Sequence, residues 1–310
     1  MAVASKKIRK RLPRPSHPGK VYTDETKHDG FDLKWNDEQL FPDVLYPDAE
    51  FLLNRMNEAT IECMNLDAGE IIVDIGCGRC IEGVNMAMKG AVVIGIEPSL
   101  TMIDHALNNI SQNKVKVSLV RGIGESLPFQ AATADKVLCK GALDHFPRPD
   151  EVIRQMALVL KPEGRGIIAV ANFGSLGFKV GRSIWWLRKK LGSELPKARM
   201  LWEIPDDHTF RMDYSFLKRL VRDCFEVEQV SGVSMLFGLP WWGIFLARLP
   251  RNIATGILKS LDGIARHLPA LSDVVILICK PREEIQKSRD RFLNLSAADR
   301  PEGLSLQGSP

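Results

Sequence analysis

Residues 71–80, IIVDIGCGRC, constrain this chain more than any other stretch. Ile71, Ile72 and Val73 form an apolar run of the kind carried by a strand buried on both faces. The run breaks at Asp74 into a turn holding Gly76 and Gly78, and an apolar, helix-compatible stretch from Ile81 to Met88 comes next. Strand, glycine turn and helix, in that order, mark the place where a doubly wound α/β sheet receives a nucleotide-like ligand.

Further strands extend the same sheet. The pattern predicts them at Ala91–Ile96, Val115–Arg121, Ala134–Lys140, Gly166–Asn172, Phe225–Val230 and Asp273–Cys279. Helices are predicted from Pro47 to about Met64, from Ser99 to about Ile110, from Pro149 to Leu160, and after Asp213, which is placed to cap its helix. Alternation of strand and helix means a parallel sheet with right-handed crossovers. Two insertions interrupt it, at 174–208 and 235–270, each with an apolar stripe at helical spacing. The first stripe is Val180, Ile184, Leu187 and Leu191; the second is Ile253, Ile257, Leu261, Ile264 and Leu268. Residues 24–280 thus read as a single domain, with 24–47 as a lead-in or lid and 281–310 as a loose tail.

Charge sets the first 23 residues apart. They hold seven cations and no acid, so the net charge of +4 becomes −3 once they are removed. This basic arm, with Pro13, Pro15 and Pro18, is expected to be disordered. The surface beyond it offers no reason to expect nucleic acid. No apolar stretch reaches the roughly 18–20 residues a membrane-spanning helix needs. The longest, residues 235–247, is broken by Gly238, Pro240 and Gly243. The chain starts on charges without the apolar core of a secretory signal, and most of its six cysteines sit in apolar, strand-like contexts. A cytoplasmic protein is expected, peripheral at a membrane surface if the arm and the Trp-rich insertions engage lipid. Oligomeric state is not legible.

The glycine turn departs from the dinucleotide pattern, since Ile81 fills the position of the third glycine of G-x-G-x-x-G. Asp74 is the more telling residue. A carboxylate beside a pyrophosphate is repelled, whereas beside a ligand carrying an ammonium and a sulfonium it is attracted. Glu97, ending the second strand, stands where an acid accepts hydrogen bonds from both ribose hydroxyls. The two acids favour S-adenosylmethionine, while Asp74 and the missing third glycine disfavour a nicotinamide oxidoreductase.

The segments VDIGCGRC (73–80), VIGIEPSLTMI (93–103), GIGESLPF (122–129), residues 135–170 and residues 208–227, in this order and spacing, resemble the class I S-adenosylmethionine-dependent methyltransferases. Those of the ubiquinone and menaquinone biosynthesis type are the most similar. The resemblance implies a Rossmann-like, seven-stranded, mostly parallel sheet with an antiparallel last strand, helices on both faces and helical cap insertions. It places the cofactor's methionine end at Asp74, Gly76, Cys77 and Gly78, the ribose at Glu97, and the adenine near Pro98 and Ser99. Ile123, Gly124, Glu125 and Lys140 complete the implied cofactor set. Two positions depart from the family: Ile123 replaces an Asp that contacts the adenine amino group, and Cys80 replaces a glycine.

Candidates for chemistry come after the fourth strand, where ligands bind at the carboxyl ends of open α/β sheets. Asp144 and His145 lie there, and His208 matches a histidine common before the late helix of the family. These three are the candidate catalytic residues, as base or as orienting groups, against plain packing or capping roles. Cys77 and Cys80 lack a second C-x-x-C, so neither zinc nor redox chemistry is expected, and no metal. Five of the six tryptophans lie between 185 and 242, beside lysines and arginines. That mixture suits a lipid-like acceptor, with a soluble natural-product intermediate as the alternative. A methyltransferase fold kept as a binding module, its evidence residues 80 and 123, is the alternative outside catalysis.

Overall fold

The computed structural model describes residues 27–28, 31–33, 35–36, 45–192, 200–203 and 208–285. The basic arm, and the tail beyond 285, lie outside the described residues. The seven strands of the main sheet are β1 (Ile71–Ile75), β2 (Val92–Glu97), β3 (Val117–Arg121), β4 (Ala134–Lys140), β5 (Leu160–Ala171), β6 (Phe225–Val233) and β7 (Val274–Pro281). Their order is 3-2-1-4-5-7-6. β1 to β5 pair in parallel, and β7 runs antiparallel between β5 and β6. This is the mixed seven-stranded Rossmann-like sheet expected from the sequence.

Alternation along the strands explains why both faces are covered. Val73 and Ile75 of β1, Val137 and Cys139 of β4, and Ile168 and Val170 of β5 face one core, which α4 (Pro149–Val159) and α6 (Tyr214–Val221) close. Their neighbours Ile72, Leu138, Ile167 and Ala169 face the other core, closed by α1 (Pro47–Met64) and α2 (Ile81–Met88). Between them in sequence, α3 (Leu100–Asn113) starts on a Ser99 cap and buries Met102 and Ala106. Asp213 caps α6 as expected, its Oδ1 accepting from the amide of Phe216 at 2.8 Å.

Several expectations need correction. β5 starts at Leu160, the expected end of the helix from Pro149 and six residues before the strand expected from Gly166. Leu160 pairs with Ala134 and the register slips before Arg165 joins Lys136, so Pro162 and Gly164 sit in an irregularity within the strand. The salt bridge of Lys161 to Asp135, 2.6 Å, holds that irregularity closed.

In the insertions the predicted stripes are not the buried faces. α5 (Leu176–Lys190) buries Gly177, Phe178 and Gly181, while Leu187 is half exposed and Leu191 more so. α8 (Arg251–His267) buries Ala254, Leu258, Asp262 and Ala265, one position from the predicted stripe. The physical reason is on the buried side. Gly181 has no side chain, which lets the Trp202 ring lie where a Cβ would be, 2.6 Å away. Asp262 is buried because it is paired.

That pairing ties the caps to the sheet. Arg55 of α1 donates to Asp262 at 3.0 Å and to Glu62 at 2.9 and 2.8 Å, and Asp262 also accepts from the amide of Ser234 at 2.9 Å. Breaking a buried pair from one side leaves an uncompensated charge, so Asp262→Ala is expected to lower stability by about 3 kcal/mol. Urea unfolding of the two proteins measures it; a loss under about 1 kcal/mol would mean that Glu62 alone satisfies Arg55.

Candidate active site

The strand order reverses between β1 and β4, and the sequence-predicted residues gather at the carboxyl ends of β1, β2 and β4 beside that reversal. Asp74 is the penultimate residue of β1, Glu97 the last of β2 and Lys140 the last of β4. The glycine turn folds back on β2: the amides of Gly76 and Cys77 both donate to the carbonyl of Ile96, at 2.9 and 3.1 Å. Gly76 and Gly78 have φ of 66° and 52°, a left-handed backbone that a side chain opposes. Cys80 takes φ 58° as well, at the N-cap of α2, where a glycine would sit without strain. Its thiol is fully buried against Gly83 and within reach of the Cys77 thiol.

Glu97 ties two loops together. One carboxylate oxygen accepts from the amide of Gly78 and the other from the amide of Ser99, both at 3.0 Å. Each oxygen keeps a second lone pair for a ligand hydroxyl. Burial raises the Glu97 pKa, and the two amides oppose the rise. Pro98 accepts from Arg121 through its carbonyl, and the Ser99 hydroxyl donates to the Trp35 carbonyl at 2.7 Å. Glu125 faces the amide of Arg148 at the start of α4 rather than open space, with Oε2 buried and without a hydrogen-bond partner. Gly124 lets Ile75 and Phe146 approach to about the distance of a missing Cβ, and Ile123 is partly exposed beside it.

Asp74 has Oδ2 buried with no hydrogen-bond partner among the described residues. Burial first, then the charges of Glu82 and Glu97, push its pKa up to about 8, against the opposing charge of Lys140. Lys140 itself pairs with Glu82 at 2.7 Å. An orphaned, buried carboxylate among acids lacks one thing, a cation. The ammonium of S-adenosylmethionine has the charge and the donors to supply it, so the residues present fit this cofactor.

The second group lies directly beside the loop. A Cβ on Gly76 would stand 2.6 Å from that of Ala142, so the segment after β4 packs against the glycine turn. Two residues on, Asp144 Oδ2 meets His208 Nδ1 at 2.9 Å. The amides of Thr209 and Phe210 both donate to the Asp144 carbonyl, at 2.8 and 3.2 Å, and fix this register. The rings of His145 and His208 are 4.5 Å apart. Burial would raise the Asp144 pKa, but the hydrogen bond and charge of His208, with the charge of His145, hold it below the usual carboxylate range. The three candidate catalytic residues are therefore together. They also offer ligand atoms within 4.8 Å of one another, a set that a divalent cation could use.

Two members of the site carry little signal in the sequence. Trp35 packs edge-on to His145 with centroids 5.5 Å apart while its carbonyl holds Ser99, so one lead-in residue touches both groups. Phe173, just after β5, faces His208 at 6.0 Å. The only mark of Trp35 is an aromatic in a polar stretch; for Phe173 it is a position just past a strand end.

Residues 72–164, from β1 through the helix after β4, match a family model described as a methyltransferase domain. The chain carries a class I S-adenosylmethionine-dependent methyltransferase domain. Curated relatives of this methyltransferase domain include the ubiquinone biosynthesis O-methyltransferase of Coxiella burnetii (strain Dugway 5J108-111), 29% identical over 121 residues, 39% of this chain and 52% of that protein. The protein of the same name from Vibrio campbellii is 31% identical over 105 residues, 34% of this chain and 45% of that protein. The chain thus spans about half the length of the curated relatives it matches. Among solved structures, the PH0226 protein from Pyrococcus horikoshii OT3 covers 79% of this chain and 97% of its own at 17% identity, with a TM-score of 0.49. That likeness adds nothing to the topology read directly from the sheet.

The charge on Asp74 sets two expectations. Its folded pKa is raised, so the stability of the ligand-free protein is fullest below the ordinary Asp pKa of 3.8 and declines as pH rises through about 8. Asp74→Asn removes that decline and is expected to raise Tm at pH 8 while weakening S-adenosylmethionine at least about tenfold. Because the cofactor's ammonium favours the carboxylate, binding at pH 7 is expected to release a proton. Calorimetry in two buffers of different ionisation enthalpy measures it, and proton uptake would contradict the assignment.

Proposed function

We propose that the protein transfers a methyl group from S-adenosylmethionine to an oxygen of a small, apolar, lipid-like acceptor. The observation that carries this reading is the Asp144–His208 pair, 2.9 Å apart, packed beside the glycine turn. S-adenosylmethionine, when bound, supplies a methyl group on a sulfonium carbon already activated for in-line displacement. The chain's own task is to place the acceptor and take its proton, because alignment accounts for much of the rate and a hydroxyl needs a base.

Asp74 receives the cofactor's ammonium, Glu97 its ribose hydroxyls, and the amides around Gly76–Gly78 shape the loop between them. Asp144 accepts the Nδ1 proton of His208, which makes Nε2 the basic nitrogen. The acceptor hydroxyl would give its proton to Nε2 as the carbon–oxygen bond forms and the methyl–sulfur bond breaks, the sulfur leaving as a neutral thioether, and the buried Asp144 carboxylate would stabilise the resulting imidazolium. Trp35 and Phe173 flank the histidines with apolar surface and keep water from competing. The names of the relatives, O-methyltransferases of ubiquinone biosynthesis, support both an oxygen acceptor and an apolar one. Protonation chemistry, not a metal, is assigned to the three side chains, since Asp144 is already engaged by His208.

His208→Ala is expected to lower kcat by about 10²- to 10⁴-fold with the affinity for S-adenosylmethionine unchanged. The assay incubates the protein with methyl-labelled cofactor and fractionated cell extract. Label moving into organic solvent, at a rate insensitive to EDTA, is the expected result. Label staying in the aqueous small-molecule fraction would favour a soluble acceptor, and an EDTA-sensitive rate would turn the triad into a cation site. Cofactor binding without label transfer to any fraction would leave the binding-module alternative.

A further inference from the structure

We propose that the outer face formed by the C-terminal half of α5 and the start of α7 (Trp242–Ala247) docks this domain on an anionic phospholipid surface. The inference rests on the apolar-acceptor reading above and extends it to where the acceptor is met. α5 leaves Leu187 and Leu191 of its predicted stripe 52% and 75% exposed, and beside that stripe Trp186 is 60% exposed. Trp241 and Phe245, at and within α7, are 57% and 49% exposed. Apolar side chains of this size, left uncovered together, mark a surface that meets a partner.

Arg188 ties the C-terminal half of α5 to the start of α7. Its guanidinium lies 5.2 Å from the ring centre of Trp185 and 5.9 Å from that of Trp241, and those two rings are 6.1 Å apart. Cations on aromatic faces hold such an arrangement by the ring quadrupole. Lys190 repeats the device on Trp186 at 4.1 Å.

Charge identifies the occupant. α5 carries Lys179, Arg182, Arg188, Lys189 and Lys190 and no acid; α7 has no acid, and Arg248 comes directly after it. A protein partner with an apolar patch would not call for cations of one sign around exposed tryptophans. Anionic headgroups above an acyl boundary call for both. No described helix is long and apolar enough to cross a membrane, so the contact is one of surface docking.

The same helix reaches the site. At its other end Phe178 packs on Phe173 with centroids 5.6 Å apart, and Phe173 faces His208. Phe178 and Trp186 are about 12 Å apart along the helix, so docking sets the lipid surface one short helix from the histidines. A lipid-like acceptor would then leave the membrane without crossing bulk water.

Cosedimentation of the full chain with phosphatidylcholine vesicles, with and without phosphatidylglycerol, tests this. Binding is expected only with phosphatidylglycerol, falling about fivefold for each lysine neutralised in Lys189→Gln and Lys190→Gln. Trp186→Ser with Trp241→Ser is expected to abolish it, and S-adenosylmethionine affinity, read by calorimetry, shows that each variant is folded. Equal binding to both vesicles, or binding unchanged in the variants, overturns the proposal. So does a dimer in analytical ultracentrifugation that Trp186→Ser disrupts, since the face would then belong to a second copy of the chain. A wild type that fails to bind S-adenosylmethionine but partitions onto vesicles would sink the methyl-transfer reading alone; the reverse pattern would sink this one alone.

Discussion

The carboxylate of Glu97 holds the site together. It ends β2, and its two oxygens take the amides of Gly78 and Ser99. The first bond pins the glycine turn after β1, and the second fixes the residue that caps α3. One side chain thus sets the separation of two loops that neither strand could set alone, because loop backbone has no ladder partner of its own. Ser99 carries the arrangement outward through its hydroxyl to Trp35, and Trp35 reaches His145. The glycine turn and the histidine pair are therefore joined by a chain of direct contacts, not by proximity in the sheet alone.

Asp74 shows what the domain gives up for that arrangement. It is buried beside Glu82 and Glu97 with Lys140 as the nearby opposing charge, and Lys140 is already committed to Glu82. A carboxylate in this position costs stability until a cation arrives. Selection for folding alone would replace it with an asparagine or an apolar residue. Its retention is an argument about a cationic ligand and stands independently of any resemblance between sequences. Cys80 makes a smaller concession of the same kind. A left-handed backbone costs a non-glycine residue roughly 1–2 kcal/mol. The packing of its thiol against Gly83 and Cys77 offsets part of that.

The sheet was legible in the chain because burial on both faces leaves long apolar runs, and Asp74 and Glu97 stood out by ending two of them. The cap was legible only as helices. Its stripes at Val180–Leu191 and Ile253–Leu268 have the period of a buried face, and period alone cannot tell a core from a membrane or a partner. What decides the orientation of α5 is the absence of side chains at Gly177 and Gly181, where Leu236–Phe237 and Trp202 approach. For α8 it is an ion pair 207 residues apart in sequence, Arg55 with Asp262. Small residues and long-range charges carry little weight in a hydrophobic pattern, so the stripe falls one position off. Trp35 was hidden for a related reason: its contacts with Ser99 and His145 are non-local, and nothing in a polar segment announces them.

The Asp144–His208 pair is likewise assembled from distant pieces. His208 reaches Asp144 because the next two amides, Thr209 and Phe210, bond to the Asp144 carbonyl, and because the Thr209 hydroxyl bonds to the carbonyl of His145. Phe173 is set in turn by Met212, whose carbonyl takes its amide. Residues 208–212 therefore bridge the strand ends of β4 and β5, and both ends of that bridge touch the cap through Phe173 and Phe178. A pair built this way depends on α5 being seated. Through Phe173 and Phe178, whatever holds α5 in place also bears on the His208 imidazole, so the cap and the Asp144–His208 pair share one set of contacts.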